Sequence, residues 1–421
     1  MWVSLKDKIQ RYVIELSAQL KGLQKSVIDK KDKAGNSISS LRSQQQEAES
    51  WCQHCLTNQA LPQNGMDHTM WAVANMKGVI QPVLVVLFLS GGIMSQDLTN
   101  YLERLEYFYE CPKECRCPST YSNALYCDNQ NLKEMPKMPS RVLYGYIQNN
   151  FIEALPEKSF KNKTQLRWIN LNKNMITNGN IDKGLFQKME NLLHLYMDDN
   201  NLEEVPAPLP SSLEHLRLAR NKISRIPEGA FTNLDKLILL DLQGNNLKDL
   251  AIEANTFQGL KSLLQLNLAK NALKKMPPQI PNSTLQLFLD NNSIKTIPQD
   301  YFSGLPKLSF VRLNHNKISD TGIPEFVFNV SSIIDLQLSH NQLTIVPPIH
   351  LSLEHLYLDH NQIKNINGAQ VCPIPINTLS QVPSTDHQPR LRYLRLDGNG
   401  IKPPIPLELL MCFRLLTGIV I

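Results

Sequence analysis

The chain has 421 residues, of which 19% are charged, and a formal net charge of +5 at pH 7. That charge content is too low for a long disordered acidic or basic chain, and the length allows a large buried core. The slight basic excess comes without a lysine and arginine stripe interleaved with aromatic residues, so nucleic acid is not an expected partner. The eight cysteines fall in clusters, which favours disulfide-closed caps in an oxidising compartment.

Residues 1–69 are mainly polar and share no pattern with the rest of the chain. Cys52 and Cys55 have the spacing of half a zinc site, yet no second pair of ligands follows at the usual distance. We therefore interpret this stretch as an atypical N-terminal extension that is absent from the mature protein, and we expect no metal there.

Residues 70–95 have the layout of a secretory signal peptide. Lys77 precedes a short apolar run at residues 79–89, and small residues follow it. The run is too short to cross a bilayer comfortably. We expect translation to start at Met70 or Met76 and the segment to be removed during secretion. A membrane-anchored form that keeps the segment uncleaved is the alternative.

Residues 96–110 form a short acidic tail that contains tyrosines. Tyrosine beside carboxylates in a secreted chain is a candidate for sulfation, which here marks Tyr101, Tyr107 and Tyr109. A solvated acidic tail without any modification explains the same composition. The sequence leaves both interpretations open.

Residues 111–139 begin with four cysteines in the spacing C-x3-C-x-C-x9-C, at Cys111, Cys115, Cys117 and Cys127. Four cysteines can pair in three ways. Zinc is the competing interpretation, but the preceding secretory signal favours disulfides. A repeat array needs a cover over its apolar end, so this segment is predicted to be the N-terminal cap.

Residues 140–401 carry the pattern L-x-x-L-x-L-x-x-N-x-L eleven times, which is the leucine-rich repeat. The asparagines of the successive copies are Asn150, Asn174, Asn200, Asn221, Asn245, Asn271, Asn292, Asn316, Asn341, Asn361 and Asn399. Their spacing is 24, 26, 21, 24, 26, 21, 24, 25, 20 and 38 residues, so two long repeats and one short repeat alternate. The predicted fold is an α/β-type solenoid with a curved parallel sheet on its concave face. Leucines should point inward, and the asparagines should donate to and accept from the backbone of neighbouring turns.

Prolines in the connecting segments bear on the structure of the convex side. A proline follows several repeat asparagines by five or six residues, as at Pro206 and Pro227. Proline forbids a regular helix, so the convex side is predicted to be mostly irregular or extended.

Gly145 stands where the first repeat should have its second leucine. We expect a poorly packed site there, or one that another side chain fills.

The last step, of 38 residues, predicts an extended ear-type segment at residues 362–390. Residues 402–421 form the predicted C-terminal cap. Cys372 and Cys412 bracket the segment and the final repeat, and a bond between them would close the apolar end. No apolar span follows, so no membrane anchor is expected in the mature form.

Four N-x-[ST] sequons lie in the part predicted to be secreted, and each is a candidate for N-glycosylation. They are Asn162, Asn282, Asn291 and Asn329. An unused sequence match is the alternative at each position. We expect most of them to be occupied, because three lie in connecting segments and the fourth lies at the exposed edge of a strand.

The outward strand positions mix aromatic, arginine and aspartate side chains, which is the composition of a protein interface. The partner-binding candidates are Trp168, Tyr196, Arg217, Phe288, Arg312, Asp335, Tyr357 and Arg395. Ordinary solvated strand surface is the alternative for any one of them, but as a set over ten strands they predict a protein ligand.

Three histidines, His315, His340 and His360, recur at one repeat position. Such a row can bind a metal or titrate at about pH 6.5. Duplication of the repeats explains the recurrence without either property, and we predict no metal site. No nucleophile motif, phosphate-binding glycine loop or pair of catalytic carboxylates stands out, so we expect neither an enzyme nor a cofactor.

The cap spacing, the three-repeat rhythm, the long last step and the terminal cysteine together resemble the small leucine-rich proteoglycans. The cysteine spacing is similar to that of the subgroup containing fibromodulin, lumican and keratocan. Three stretches are most similar to the keratocan branch: residues 166–174 (LRWINLNKN), 287–294 (LFLDNNSI) and 394–406 (LRLDGNGIKPPIP). The resemblance covers residues 111–421 and does not extend to residues 1–69.

The resemblance implies a secreted extracellular-matrix proteoglycan that binds fibrillar collagen and regulates fibril diameter and spacing, as in the corneal stroma. It implies keratan sulfate chains on the N-linked sugars and three disulfides, Cys111–Cys117, Cys115–Cys127 and Cys372–Cys412. A homodimer through the concave face is a further expected arrangement. The alternative function is a soluble leucine-rich-repeat protein that captures a signalling ligand or inhibits an enzyme through the same face.

Overall fold

The structure is a computed structural model that describes residues 111–161, 163–374 and 388–421. The expectations for the N-terminal extension, the signal peptide and the acidic tail with Tyr101, Tyr107 and Tyr109 lie outside the described residues. The same holds for Asn162 and for residues 375–387 of the extended segment.

The described residues form one 13-stranded sheet in which every strand lies beside its neighbours in the sequence. All neighbouring pairs are parallel, as in β4 with β5 and in β9 with β10. The strands are β1 Ala124–Tyr126, β2 Tyr144–Tyr146, β3 Trp168–Asn170, β4 His194–Tyr196, β5 His215–Arg217, β6 Leu239–Asp241, β7 Gln265–Asn267, β8 Gln286–Phe288, β9 Phe310–Arg312, β10 Asp335–Gln337, β11 His355–Tyr357, β12 Tyr393–Arg395 and β13 Gly418–Val420. The predicted leucine-rich-repeat solenoid is confirmed.

Each strand is short because only its middle residue has to face the interior. In β5, Leu216 is fully buried, while its neighbours His215 and Arg217 are half-buried on the concave face. Leu216 lies in register with Leu195 of β4 and Leu240 of β6. The inward residues therefore stack from turn to turn into one continuous core, which no single repeat could form alone.

The repeat asparagines bond adjacent turns together, as predicted. The Nδ2 group of Asn245 donates to the carbonyls of Leu218 and Leu242, each at 3.0 Å. Its Oδ1 accepts from the amide of Ile223 in the preceding repeat at 2.9 Å. Each asparagine thus satisfies backbone groups that the bend after the strand would otherwise bury unpaired.

The residue before each repeat asparagine has a left-handed backbone and projects its side chain to the edge of the sheet. We call this series the αL row. Its members are Asn149, Lys173, Asp199, Arg220, Gly244, Lys270, Asn291, His315, His340, His360 and Gly398, with φ between 53° and 69°. Because the backbone is the same in each turn, the side chains of this row lie above one another.

The convex side explains the alternation of long and short repeats. Each long repeat between Asn150 and Asn341 buries one phenylalanine there: Phe160, Phe186, Phe231, Phe257, Phe302 and Phe328, each at most 6% exposed. The short repeats bury the smaller Leu209, Ile280 and Ile349 instead. Phenylalanines of paired long repeats stack, with ring centroids 6.2 Å apart for Phe231 and Phe257. The extra length of a long repeat therefore accommodates a larger side chain.

Helices in the described ranges are short, in agreement with the prediction of a mostly irregular convex side. The 3₁₀ helices are Ser119–Tyr121, Glu157–Phe160, Asn178–Asn180, Phe186–Lys188, Asp249–Ala251 and Asp320–Gly322, and the α-helices are α1 Gly368–Val371 and α2 Leu407–Cys412. Three of the 3₁₀ turns begin at Asn178, Asp249 or Asp320. Each of these side chains accepts from a backbone amide of the next repeat, at 2.7, 2.8 and 3.0 Å.

Gly145 does not leave a hole. A Cβ atom at this glycine would lie 3.4 Å from Cε of Met138 and 3.5 Å from Cγ1 of Ile169. Met138 is 3% exposed. The methionine side chain, which adapts to irregular spaces, occupies the volume that the missing leucine would fill.

Disulfides lie near both ends of the solenoid. Cys111 bonds to Cys117 and Cys115 to Cys127 beside β1, and Cys372 bonds to Cys412 between α1 and α2. These are the pairs that the family resemblance implies. Cys127 and Cys412 are each at most 1% exposed, so a disulfide near each end is anchored in the core.

Candidate functional site

The eight partner-binding candidates all lie on the concave face, at the first or third position of a strand. Six of them form three pairs of spatial neighbours, and the two residues of each pair are far apart in the sequence. Strand register places Tyr196 beside Arg217, Phe288 beside Arg312, and Tyr357 beside Arg395. Each pair has its aromatic residue in one repeat and its arginine in the next.

A buried aspartate completes each pair. Arg217 extends to Asp198, with Nη2 2.9 Å from Oδ2, and its guanidinium carbon lies 5.6 Å from the centroid of the Tyr196 ring. Asp198 is 1% exposed, and its Oδ1 accepts from the amide of Ala219 at 2.8 Å. The arginine is therefore held between a carboxylate and an aromatic face, which we call an aromatic–aspartate–arginine cluster.

The second cluster repeats the arrangement between β8 and β9. Nε of Arg312 lies 2.9 Å from Oδ2 of Asp290, and the guanidinium carbon lies 5.2 Å from the centroid of the Phe288 ring. Asp290 is 5% exposed and accepts from the amide of Asn314 at 2.9 Å. A cation over an aromatic face contributes about 0.5–1 kcal/mol where it is exposed and more where it is desolvated.

The third cluster, between β11 and β12, is looser. Nε of Arg395 is 3.8 Å from Oδ1 of Asp359 but 2.7 Å from Oδ1 of Asp397, which lies in its own repeat. The hydrogen bond from Arg395 lowers the pKa of Asp397 below its usual value. Arg395 is thus shared between two carboxylates, and strand register pairs it with Tyr357.

Sequence reasoning missed the three aspartates, although they share a signal. Each follows its aromatic partner by two positions, as Tyr196 and Asp198, Phe288 and Asp290, and Tyr357 and Asp359. Burial raises the pKa of both Asp198 and Asp290, while the neighbouring arginine opposes that shift. The arginines on the concave face are therefore neutralised locally, and the clusters present oriented N–H donors rather than free positive charge.

The remaining candidates, Trp168 and Asp335, lie outside the clusters. Asp335 accepts from Nε2 of Gln337 at 3.0 Å and lies 3.8 Å from Nδ1 of His355. Burial raises the pKa of Asp335, and this hydrogen bond opposes the shift.

Trp168 belongs to a row of rings that continues from the N-terminal cap. Tyr126 and Tyr146 stack with centroids 4.6 Å apart, Tyr146 and Trp168 are 4.3 Å apart, and Trp168 meets Tyr196 edge-on at 5.6 Å. A shallow pocket of about 410 Å³ opens beside Tyr126 and Tyr146. These two tyrosines were not among the predicted contact residues, because Tyr126 lies in the predicted cap and Tyr146 in the atypical Gly145 strand.

The comparisons with known proteins agree with this architecture. A family model described as "Leucine rich repeat" matches residues 146–203 and 211–273. Keratocan of Gallus gallus is 59% identical over 346 residues, covering 81% of this chain and 98% of that protein. Keratocan of Homo sapiens is 56% identical over 352 residues, covering 82% and 100%. Prolargin of Bos taurus is 54% identical over 315 residues, covering 75% and 82%.

The chain belongs to the small leucine-rich proteoglycans. Members of this family are structural extracellular-matrix proteoglycans. A solved structure with the same fold is a chain of an octameric complex of Latrophilin 3, Unc5D and FLRT2, with a TM-score of 0.57 and 25% sequence identity over 73% of this chain and 83% of that chain. No helix within the described ranges combines the length and the apolar character needed to cross a bilayer.

This small leucine-rich proteoglycan keeps its described sequons away from the strands. Asn282, Asn291 and Asn329 are exposed, and all three lie in turns or connecting segments. Asn291 belongs to the αL row, with φ at 53°. None of the three asparagines lies within a strand.

Proposed function

We propose that the protein is secreted and binds fibrillar collagen through its concave face. Sulfated N-linked glycans then hold neighbouring fibrils apart, in a tissue such as the corneal stroma where fibril spacing matters. The observation that supports docking is the set of three aromatic–aspartate–arginine clusters in one sheet. The family of the chain supports the matrix setting.

The chemistry of the clusters suits a polyproline II surface. Collagen winds three such chains, whose proline rings and backbone carbonyls remain exposed. Aromatic faces pack against proline rings in other polyproline-binding proteins. Phe288 and Tyr196 offer such faces, and Arg312 and Arg217 offer N–H donors at fixed positions beside them. The buried aspartates hold these donors in place before binding, which reduces the entropy lost on docking.

The sequon positions support the second half of the proposal. Keratan sulfate chains on Asn282, Asn291 and Asn329 would project from exposed turns while the strands contact collagen. Anionic chains on neighbouring fibrils repel one another and retain water and counterions. Docking and spacing thus use different surfaces of the molecule.

Docking is tested by removing a cluster without burying an unpaired charge. Arg312→Gln with Asp290→Asn removes both charges and retains an oxygen to accept from the amide of Asn314. We expect loss of collagen affinity of at least about tenfold, because buried arginine and aromatic anchors dominate interfaces. The matched control is Arg225→Gln with Glu204→Gln, an ion pair off the strands. Unchanged collagen affinity in the cluster variant would overturn the assignment of the face.

Spacing is tested with protein treated enzymatically to remove its N-glycans. We expect the deglycosylated protein to bind collagen with unchanged affinity, while the distance between fibrils formed in its presence decreases. Equal fibril spacing with intact and deglycosylated protein would reject the proposed role of the glycans. It would not affect the proposal that the concave face binds collagen.

The alternative partners share the concave face and are separated by the same variants. Capture of growth factors in preference to fibrillar collagen, with loss in the cluster variant, would support a signalling-ligand function. A homodimer through the concave face would compete with collagen, so sedimentation of the free protein should show dimers that disappear when collagen peptide is added.

A further inference from the structure

Three consecutive members of the αL row are histidines, and their rings stack. The centroids of His315 and His340 are 3.9 Å apart and those of His340 and His360 are 4.2 Å apart, with interplanar angles of 13° and 12°. The shared left-handed backbone, with φ at 53°, 56° and 55°, gives the three side chains one direction. The fold therefore brings imidazoles together that are 25 and 20 residues apart in the sequence.

A buried carboxylate lies beside two of these rings. Oδ2 of Asp359 is 3.2 Å from Nδ1 of His360 and 3.9 Å from Nε2 of His340. One nitrogen of each ring and one oxygen of Asp359 all lie within 4.8 Å of one another. Among the described residues, this is the one group of three or more histidine, cysteine or acidic residues with metal-ligand spacing.

Asp359 is positioned by its surroundings. The Ser339 hydroxyl donates to Oδ1, and Nε of Arg395 lies 3.8 Å from the same oxygen. The side chain of Asp359 is 4% exposed. Its Oδ2 faces the two imidazoles, so a positioned carboxylate oxygen lies beside two ring nitrogens that can still move.

We propose that His340, His360 and Asp359 bind one Zn²⁺ ion, with water at the fourth position. Zinc takes nitrogen and carboxylate ligands at about 2.0–2.2 Å in a tetrahedron, which places neighbouring donor atoms about 3.3 Å apart. The Asp359–His360 pair already has this separation, at 3.2 Å. The two stacked rings have to tilt toward each other, and their side chains, 37% and 49% exposed, have room to do so.

The donor set suits zinc, which binds imidazole nitrogen and carboxylate oxygen. Calcium does not fit, because it prefers an all-oxygen set of six to eight ligands.

The chain contains a second pair of adjacent histidines, which has no carboxylate in a metal-ligand position and serves as a comparison. His194 and His215 lie on neighbouring strands with ring centroids 4.5 Å apart. No acidic residue completes a metal-ligand group there among the residues described. The two pairs thus test whether adjacent imidazoles alone are sufficient.

The test is calorimetric titration of the full secreted chain with ZnCl₂ at pH 7.4, before and after enzymatic removal of N-glycans. We expect one saturable site per chain in both forms. His340→Ala with His360→Ala should abolish it, and Ser339→Ala, which releases Asp359, should weaken it about 10–100-fold. His194→Ala with His215→Ala is the matched control and should leave zinc binding unchanged. Titration with CaCl₂ in place of ZnCl₂ should give no heat of binding.

The proposal would be overturned by the absence of saturable zinc binding to the intact chain, by equal binding of the His340/His360 variant, or by loss of binding in the His194/His215 control. Binding that disappears with the glycans would also overturn it, because the ion would then belong to the sulfated chains. Visible spectra with Co²⁺ in place of Zn²⁺ should show tetrahedral coordination, and an octahedral spectrum would contradict the assigned ligand set.

Discussion

The Arg312 guanidinium lies 5.2 Å from the centroid of the Phe288 ring, one repeat earlier in the solenoid. Arg312 is not positioned by its own repeat alone. The buried Asp290, which belongs to the same repeat as Phe288, holds the guanidinium in place. The concave face therefore consists of clusters that cross repeat boundaries, and its binding properties depend on the stacking of the turns.

Phe288→Ala should weaken binding to collagen about tenfold, since an aromatic anchor at an interface contributes about 1–2 kcal/mol. Phe288 is half-buried on the concave face, so the change leaves the core intact. Binding is measured by surface plasmon resonance on immobilised fibrillar collagen. Phe151→Ala is the control, because Phe151 is 50% exposed and lies outside the strands. A variant that binds as tightly as the parent protein would show that this ring is not a contact.

Asn245→Ala should reduce the free energy of unfolding by about 3 kcal/mol, because each buried backbone group left unpaired costs about 1–3 kcal/mol. The substitution removes the partner of the Leu218 and Leu242 carbonyls and of the Ile223 amide. Urea unfolding followed by circular dichroism gives the value. The adjacent Asn246 is exposed, with one long contact of 3.5 Å. Asn246→Ala should therefore change stability little. An equal effect of both variants would show that the bonds of Asn245 to adjacent turns do not account for the loss.

Phe257→Ala should cost about 3–5 kcal/mol, since it leaves a cavity in a packed core. Phe257 is 1% exposed and stacks on Phe231 of the preceding long repeat. Leu250→Ala, in the same repeat, removes a side chain that is 94% exposed and should have almost no effect. Thermal and urea unfolding of the two variants measure the difference. Similar losses would mean that the convex phenylalanines do not stabilise the long repeats.

Stability should fall as the pH is lowered from 7.5 to 5.5, and His194 and His215 should account for part of the loss. Burial lowers the pKa of both imidazoles, with the neighbouring His215 adding to the effect at His194. The unfolded chain takes up protons at about pH 6.5, whereas the folded state resists protonation. The unfolded state therefore binds more protons in this window, and acidification favours it.

The pH dependence is measured as the urea midpoint at several pH values. His194→Gln with His215→Gln should reduce the shift of the midpoint between pH 7.5 and 5.5 without abolishing it, because His340 and His350 also have lowered pKa values. The idea fails if the parent protein and the variant lose the same stability over that interval.

Cys372→Ser with Cys412→Ser should lower stability by about 2–4 kcal/mol, because the bond closes a loop in the unfolded chain. The two cysteines are 40 residues apart. Hydrogen exchange should accelerate most in β12 and β13, which this bond ties to the rest of the sheet. Exchange that accelerates equally in β4 and β5 would show that the bond stabilises the solenoid as a whole rather than its end.

Inward positions were predictable residue by residue. The repeat formula requires Leu216 and its equivalents to face the core and Asn245 to bond adjacent turns, and both occur. These predictions succeed because a solenoid turn contacts its neighbours at the same positions each time. The same logic made Gly145 visible as an exception, but only the packed structure shows that Met138 fills its place.

Outward positions were predictable as a set but not as partners. Arg217 and Asp198 are 19 residues apart, whereas Arg395 and Asp359 are separated by the long segment. No single spacing in the sequence identifies such pairs. The histidine row was visible in the sequence as a recurrence, but the carboxylate beside it was not. Asp359 is the neighbour of His360 in sequence, yet its oxygen also faces His340 of the preceding repeat.

Local pattern and spacing were enough to predict the repeat, its inward leucines and asparagines, the clustered cysteines and the resemblance to the family. They did not predict which arginine contacts which carboxylate, or which imidazoles share one. Those contacts form between turns, and each depends on the strand register that packs one repeat against the next.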